Sequence, residues 1–221
     1  MSEADPISES VNRLLELSTP AVADACDRLG RPDRVLSHLI RPLRPDARLA
    51  GAARTQLLVE PRGGDGQFMP RACAFIDTLA PGDVVVIAAG GAGEFSCWGG
   101  LFGVAAGSRG CAGVIVDGCV VDGEELADLG LPTFSAGFSP AHAEGRAELS
   151  QIDAPVRCGG VIVEPGDYII GDFDGVVCVP RALIERVLEI AESRARDEGR
   201  VRELLAAGRS ARELWEKTGF L

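Results

Sequence analysis

The feature that most constrains this fold is a pair of continuous apolar runs, VVVIAA at 84–89 and VIV at 114–116, separated by glycines and small residues. A strand with one wet face alternates apolar and polar residues. A run with no polar member has both faces covered, as in a parallel sheet. Between the runs, the loop GGAG at 90–93 is followed at 94–107 by small residues at helical spacing, which predicts a helix able to lie close on the sheet. Strand, glycine loop, helix, strand is a βαβ unit, and such units connect parallel strands. The middle third therefore reads as α/β.

The flanks extend this reading. Residues 7–17 predict a short helix, and Ser18-Thr19-Pro20 then offers an N-cap and a first-turn proline to AVADACDRLG, which closes on Gly30. Residues 51–60 predict a strand followed by the glycine-rich PRGGDG, and 66–79 a helix feeding the turn Pro81-Gly82-Asp83. At 154–179 strands of four to six residues alternate with Gly-Gly, Pro-Gly-Asp and Asp-Phe-Asp-Gly turns, the pattern of antiparallel hairpins. Beyond 180 the pattern is helical, with Leu183, Val187, Leu188 and Ile190 on one face and Ser210 opening a last helix around Leu214-Trp215. This divides the chain into a single body at 1–180 and a helical arm at 181–221.

Charge and cysteine usage bound the function. Thirty-three acidic against twenty-two basic residues give a net charge of −11, which disfavours nucleic acid and anionic membranes and suits a divalent cation. Seven cysteines, without CxxC or CxxH spacing and mostly inside apolar runs, read as reduced core residues. The acidic start MSEADPISES does not read as a signal peptide, and no apolar run approaches the ~18 residues of a membrane span. A soluble cytoplasmic protein is expected.

Most candidate chemistry is weak. His38 and His142 lack metal spacing or a neighbouring nucleophile and read as surface or loop residues. GGAGEF fails the last glycine of a dinucleotide fingerprint, and GxxxxGK[ST] is absent. Two features remain. Trp98-Gly99-Gly100-Leu101-Phe102 lies near a loop-to-helix junction, where the glycines serve either a tight turn or a cradle of backbone N–H groups for an anion. Asp122, with Glu124 and Glu125 after it, follows a strand directly, where it either caps the helix EELADLG or faces a ligand crevice. Asp117-Gly118 and Asp174-Gly175 read as turns.

Taken together, PGDVVVIAAGG (81–91), CWGG (97–100), AGVIVDG with Asp122 four residues on, LGLPTFSAGFSP (129–140) and CGGVIVEPGDYIIGDFDGVVCVPR (158–181) resemble one family. It is that of the 4-hydroxy-4-methyl-2-oxoglutarate aldolases, which also contains the regulator of ribonuclease activity A and proteins once misnamed demethylmenaquinone methyltransferases. The match runs in order over roughly residues 15–215. The resemblance implies an α/β/β sandwich of the swivelling phosphohistidine-domain-like type with a C-terminal helical arm. It also implies a homotrimer or homohexamer with sites between subunits.

The resemblance further implies a lyase that uses magnesium or manganese to hold a pyruvyl group and stabilise its enolate, with oxaloacetate decarboxylation open to the same electron sink. The family's metal-site aspartate falls on Asp122, and its pyruvate cradle on Gly99, Gly100, Leu101 and Phe102. An acidic residue from the neighbouring subunit's arm falls near Glu198, with Asp197 and Glu192 as alternatives. The family writes arginine immediately before the aspartate, whereas this chain has Val121. Valine brings neither charge nor donor, and losing such a donor costs ~10²–10³ in rate. Three readings follow: a lyase on a 4-hydroxy-2-oxo or oxaloacetate-like acid with another cation such as Arg54, Arg62, Arg71 or Arg146 in place of the arginine; an enzyme of altered chemistry; or a non-catalytic ring protein.

Overall fold

Alternation along the strands explains how three apolar cores form around one curled sheet. In the computed structural model, which describes residues 6–61 and 67–219, β1 (Arg41–Pro42), β2 (Leu49–Val59), β3 (Asp83–Trp98), β4 (Gly113–Val120) and β5 (Thr133–Phe138) join β9 (Tyr168–Asp172) and β10 (Gly175–Val179) in the order β1-β5-β4-β3-β2-β9-β10. β6 (Glu148–Ile152) adds to β2, and β7 (Val156–Cys158) pairs with β8 (Val161–Val163) as a separate ribbon. Pairings β2·β3, β3·β4 and β4·β5 are parallel, and those of β9 with β2 and with β10 antiparallel. Each parallel step is spanned by a helix: α3 (Phe68–Asp77), α4 (Gly100–Ser108) and α5 (Gly123–Asp128) in turn.

On β3, Val84, Val86 and Ala88 face one core while Val85 and Ile87 face another, because successive side chains leave opposite sides of a strand. The inner core gathers Ala53, Ile115, Phe134, Ile169 and Val176 from both ends of the sheet with Val156 and Val163 of the β7·β8 ribbon, so the sheet is nearly closed. The outer face of β2–β4 lies under α3, α4 and α5. The outer face of β9 and β10 lies under α1 (Pro6–Leu15), α2 (Thr19–Arg28) and the start of α6 (Ile184–Ala206), through Leu14, Val22, Val187 and Leu188. This is the expected mixed α/β fold of helix, sheet and β layers with a C-terminal helix. α7 (Ala211–Thr218) closes the described chain, with the Ser210 side chain accepting from the Glu213 N–H. Among the described residues no helix is long and apolar enough to cross a membrane.

Three local expectations are corrected. Residues 90–93 do not end the strand, and 94–98 are not helical: β3 runs on to Trp98, with Ala92, Ser96 and Trp98 opposite Gly118, Cys119 and Val120. Gly90 (φ 65°) and Gly91 (φ 75°) kink it without breaking it. Helix propensity in this stretch loses to non-local partners, since the Ser96 N–H donates to the Ala141 carbonyl at 2.6 Å and its carbonyl accepts from the Ala143 N–H. Asp117-Gly118 is no turn, because β4 continues through it and the buried Asp117 carboxylate accepts from the Gly159 N–H at 2.9 Å. Six cysteines are buried as expected, but Cys73 is exposed on α3. Gly66 and Arg62 lie outside the described residues.

Candidate active site

α4 starts with an extended Gly99 (φ −156°) in place of a side-chain cap. The first N–H groups of any helix lack intrahelical partners. Here the Gly103 N–H is the first to turn back, onto the Gly99 carbonyl at 3.0 Å, while the Gly100 N–H donates to Asp122 Oδ2 at 3.1 Å. The Leu101 and Phe102 N–H groups have no protein partner among the described residues, and the Leu101 side chain stands 83% exposed above them. Free N–H groups at the positive end of a helix dipole attract carboxylates.

The two glycines are required by what packs against them. A Cβ at Gly99 would sit 2.8 Å from Val121 Cγ1 and 3.1 Å from Asp122 Oδ2, and one at Gly100 would overlap the Glu125 carboxyl group. The acidic cluster after β4 thus folds onto the start of α4. Asp122 occupies the N-cap position of α5 but makes no capping bond there; its side chain reaches to α4 instead. Its backbone is left-handed (φ 56°, ψ 42°), a conformation that costs a non-glycine residue about 1 kcal/mol or more. That twist turns the carboxylate toward the glycines.

A cavity of about 310 Å³ opens at this junction, and Gly99, Gly100, Leu101, Phe102, Val121 and Asp122 all line it. One wall is apolar: Phe68 and Met69 of α3, with Trp98 and Phe102, whose ring centroids lie 5.5 Å apart at 46°. The segment His142–Ala143–Glu144, held to β3 through Ser96, also lines the cavity. His142 is the exposed loop residue expected from the sequence, and it also lines the cavity; Cys97 in the same lining has its thiol pushed up to about 12 by burial and is no nucleophile. No sequence signal brings residue 142 beside residue 96. That contact is a bridge between segments 46 residues apart in a parallel arrangement.

The described candidates for a replacement cation, Arg54, Arg71 and Arg146, all have partners and none lines the cavity. Arg54 pairs with Asp83 and Asp153 and donates to the Thr78 carbonyl, and Arg71 Nη2 donates to the Ser150 carbonyl. Arg146 donates to the carbonyl of His142. Glu198 lies on α6, accepting from Arg194 Nε at 2.8 Å, and is not part of this chain's cavity. Among the described residues no group of three or more histidine, cysteine, aspartate or glutamate side chains converges as a metal cage.

Residues 19–178 match the RraA-like family, described as Aldolase/RraA. The chain belongs to that family. Over 209 residues it is 34% identical to a Halalkalibacterium halodurans protein named "Putative 4-hydroxy-4-methyl-2-oxoglutarate aldolase", covering 91% of this chain and 90% of that one. A stretch of 121 residues is 38% identical to an uncharacterized protein of Methanocaldococcus jannaschii, covering 55% of this chain and 58% of that protein's length. Among solved structures, Streptomyces coelicolor RraAS2, described as an unusual member of the RNase ES inhibitor RraA protein family, matches with a TM-score of 0.84 at 28% identity, over 90% of this chain and 99% of its own. In this RraA-like chain the cavity at the junction of α4 with Asp122 unites six of the expected site positions, Gly99, Gly100, Leu101, Phe102, Val121 and Asp122.

Proposed function

We propose that this RraA-like protein is a lyase that cleaves a 4-hydroxy-2-oxo acid to pyruvate and a carbonyl product. The observation that carries the reading is the pairing of two unpartnered helix N–H groups, at Leu101 and Phe102, with an exposed carboxylate, Asp122, across one cavity. In this reading the N–H groups receive the substrate carboxylate, and Gly99 and Gly100 let it approach the backbone. Asp122 fits a hard divalent cation that keeps most of its waters, because such an ion needs only one or two protein carboxylates. When bound, magnesium or manganese supplies positive charge beside the keto oxygen, where negative charge collects as the C3–C4 bond breaks. His142 stands in the lining as the group to accept the proton of the C4 hydroxyl and return one to C3.

The reading includes a homotrimer or homohexamer in which α6 and α7 dock on a neighbouring subunit and bring Glu198 toward its cavity. Support comes from the apolar side chains left exposed on this arm, Leu204, Leu205 and Trp215. A second reading, a non-catalytic ring protein, has Val121 in its favour, since this position supplies no donor for an enolate.

Exchange of the pyruvate methyl protons in D2O, followed by proton NMR, separates the two. Exchange that needs magnesium or manganese, stops with chelator and is lost in Asp122→Ala is the expected result. Absence of exchange with either metal would favour the binding protein.

A further inference from the structure

We propose that the cavity selects 4-hydroxy-2-oxo acids whose distal substituent is apolar, so that the product released beside pyruvate is an aldehyde carrying a hydrocarbon group. This rests on the lyase reading and concerns the other end of the same substrate. If the carboxylate and keto oxygen sit at the start of α4 and at Asp122, the distal group extends toward the wall of Phe68, Met69, Trp98 and Phe102. Phe68 and Phe102 are themselves packed on the core under α3 and α4, so this wall is backed by buried side chains.

Charge points the same way. Among the described residues the lining holds no arginine or lysine, and Arg71 and Arg146 are turned to backbone carbonyls. A second carboxylate would give up water for aromatic rings with no cationic side chain to pair with, which disfavours it. A hydrocarbon group gains by the same move, roughly fourfold in binding per methylene buried. The cleavage balances without a co-reactant. The C3–C4 bond breaks, its electron pair forms the pyruvate enolate, the C4 hydroxyl gives up its proton as C4 becomes the aldehyde carbonyl, and one proton is added at C3.

The test compares kcat/KM for 4-hydroxy-2-oxohexanoate with that for 4-hydroxy-2-oxoadipate, which differ at C6 by a methyl against a carboxylate, alongside the pyruvate exchange assay. The monoacid is expected to be favoured by at least about tenfold. Met69→Arg, at a position 37% exposed and able to take a long side chain, is expected to shrink or invert that ratio. Preference for the adipate by the wild type, with exchange intact, overturns the substrate class and leaves the lyase standing. Loss of exchange and of both cleavages overturns the lyase and this inference with it.

Discussion

Two helix N-termini in this molecule each meet an aspartate, and they use it in opposite ways. At α2, Asp172 is 7% exposed and accepts from the Thr19 N–H at 2.8 Å, the Thr19 hydroxyl at 2.6 Å and the Asp174 N–H at 2.9 Å. At α4, Asp122 is exposed and left-handed, and its carboxylate is bonded only to the Gly100 N–H among the described residues. The first carboxylate is saturated and ties the α1, α2 and α6 layer to the sheet. The second keeps acceptor capacity for something outside the chain. The same attraction between an anion and a helix start serves stability where donors fill it and reactivity where they do not.

The sharpest break of this comparison is Asp122→Ala. It is expected to lower kcat/KM by at least ~100-fold. Its effect on stability should stay near ~1 kcal/mol, because one solvated hydrogen bond is lost. Asp172→Ala should do the reverse: a loss of roughly 2–4 kcal/mol, seen as a Tm lower by several degrees, with kcat/KM of the folded protein within about twofold of wild type. If Asp172→Ala also removed turnover, the division of labour between the two ends would not stand.

Gly100→Ala sharpens the α4 side. Its Cβ would overlap the Glu125 carboxyl, so a cost of about 1–3 kcal/mol is expected, largely recovered in Gly100→Ala/Glu125→Ala by thermal melting.

Acid should act at the α1–α6 contact. Arg13 Nε donates to Glu192 Oε1 at 2.6 Å, and this bond holds the Glu192 carboxyl below its ordinary range. The folded state therefore binds fewer protons than the unfolded one. The contribution is complete above the ordinary glutamate value and is lost as pH falls through the depressed one. The Tm gap between wild type and Arg13→Gln should accordingly be measurable at pH 7, at ~1 kcal/mol or less, and narrow at pH 3.

The smallest effect is chemical. Burial pushes the thiols of Cys26 and Cys97 up to about 11 and about 12, so a thiol reagent at neutral pH should label Cys73 in the native chain and the other six only on unfolding.

What was written locally was readable. The doubly buried runs gave β3 and β4, Ser18 and Pro20 gave the start of α2, and Gly159-Gly160 and Asp174 marked the hairpins, because each depends on the conformational preferences of a few adjacent residues. The positions Gly99–Phe102, Val121 and Asp122 were legible through resemblance, which carries positions but no distances.

Tertiary structure decided the rest. It held 94–98 as strand through partners on β4 and at 141–143, where the spacing of small residues pointed to helix. It turned Asp122 from its own helix to the start of another, brought His142 into the cavity lining, and engaged Arg54, Arg71 and Arg146 with partners outside the lining side chains. Each of these outcomes depends on a contact between residues far apart in the chain. Sequence determined which segments bury themselves and where the backbone can turn; which donors and charges remain unfilled was settled only when those segments met.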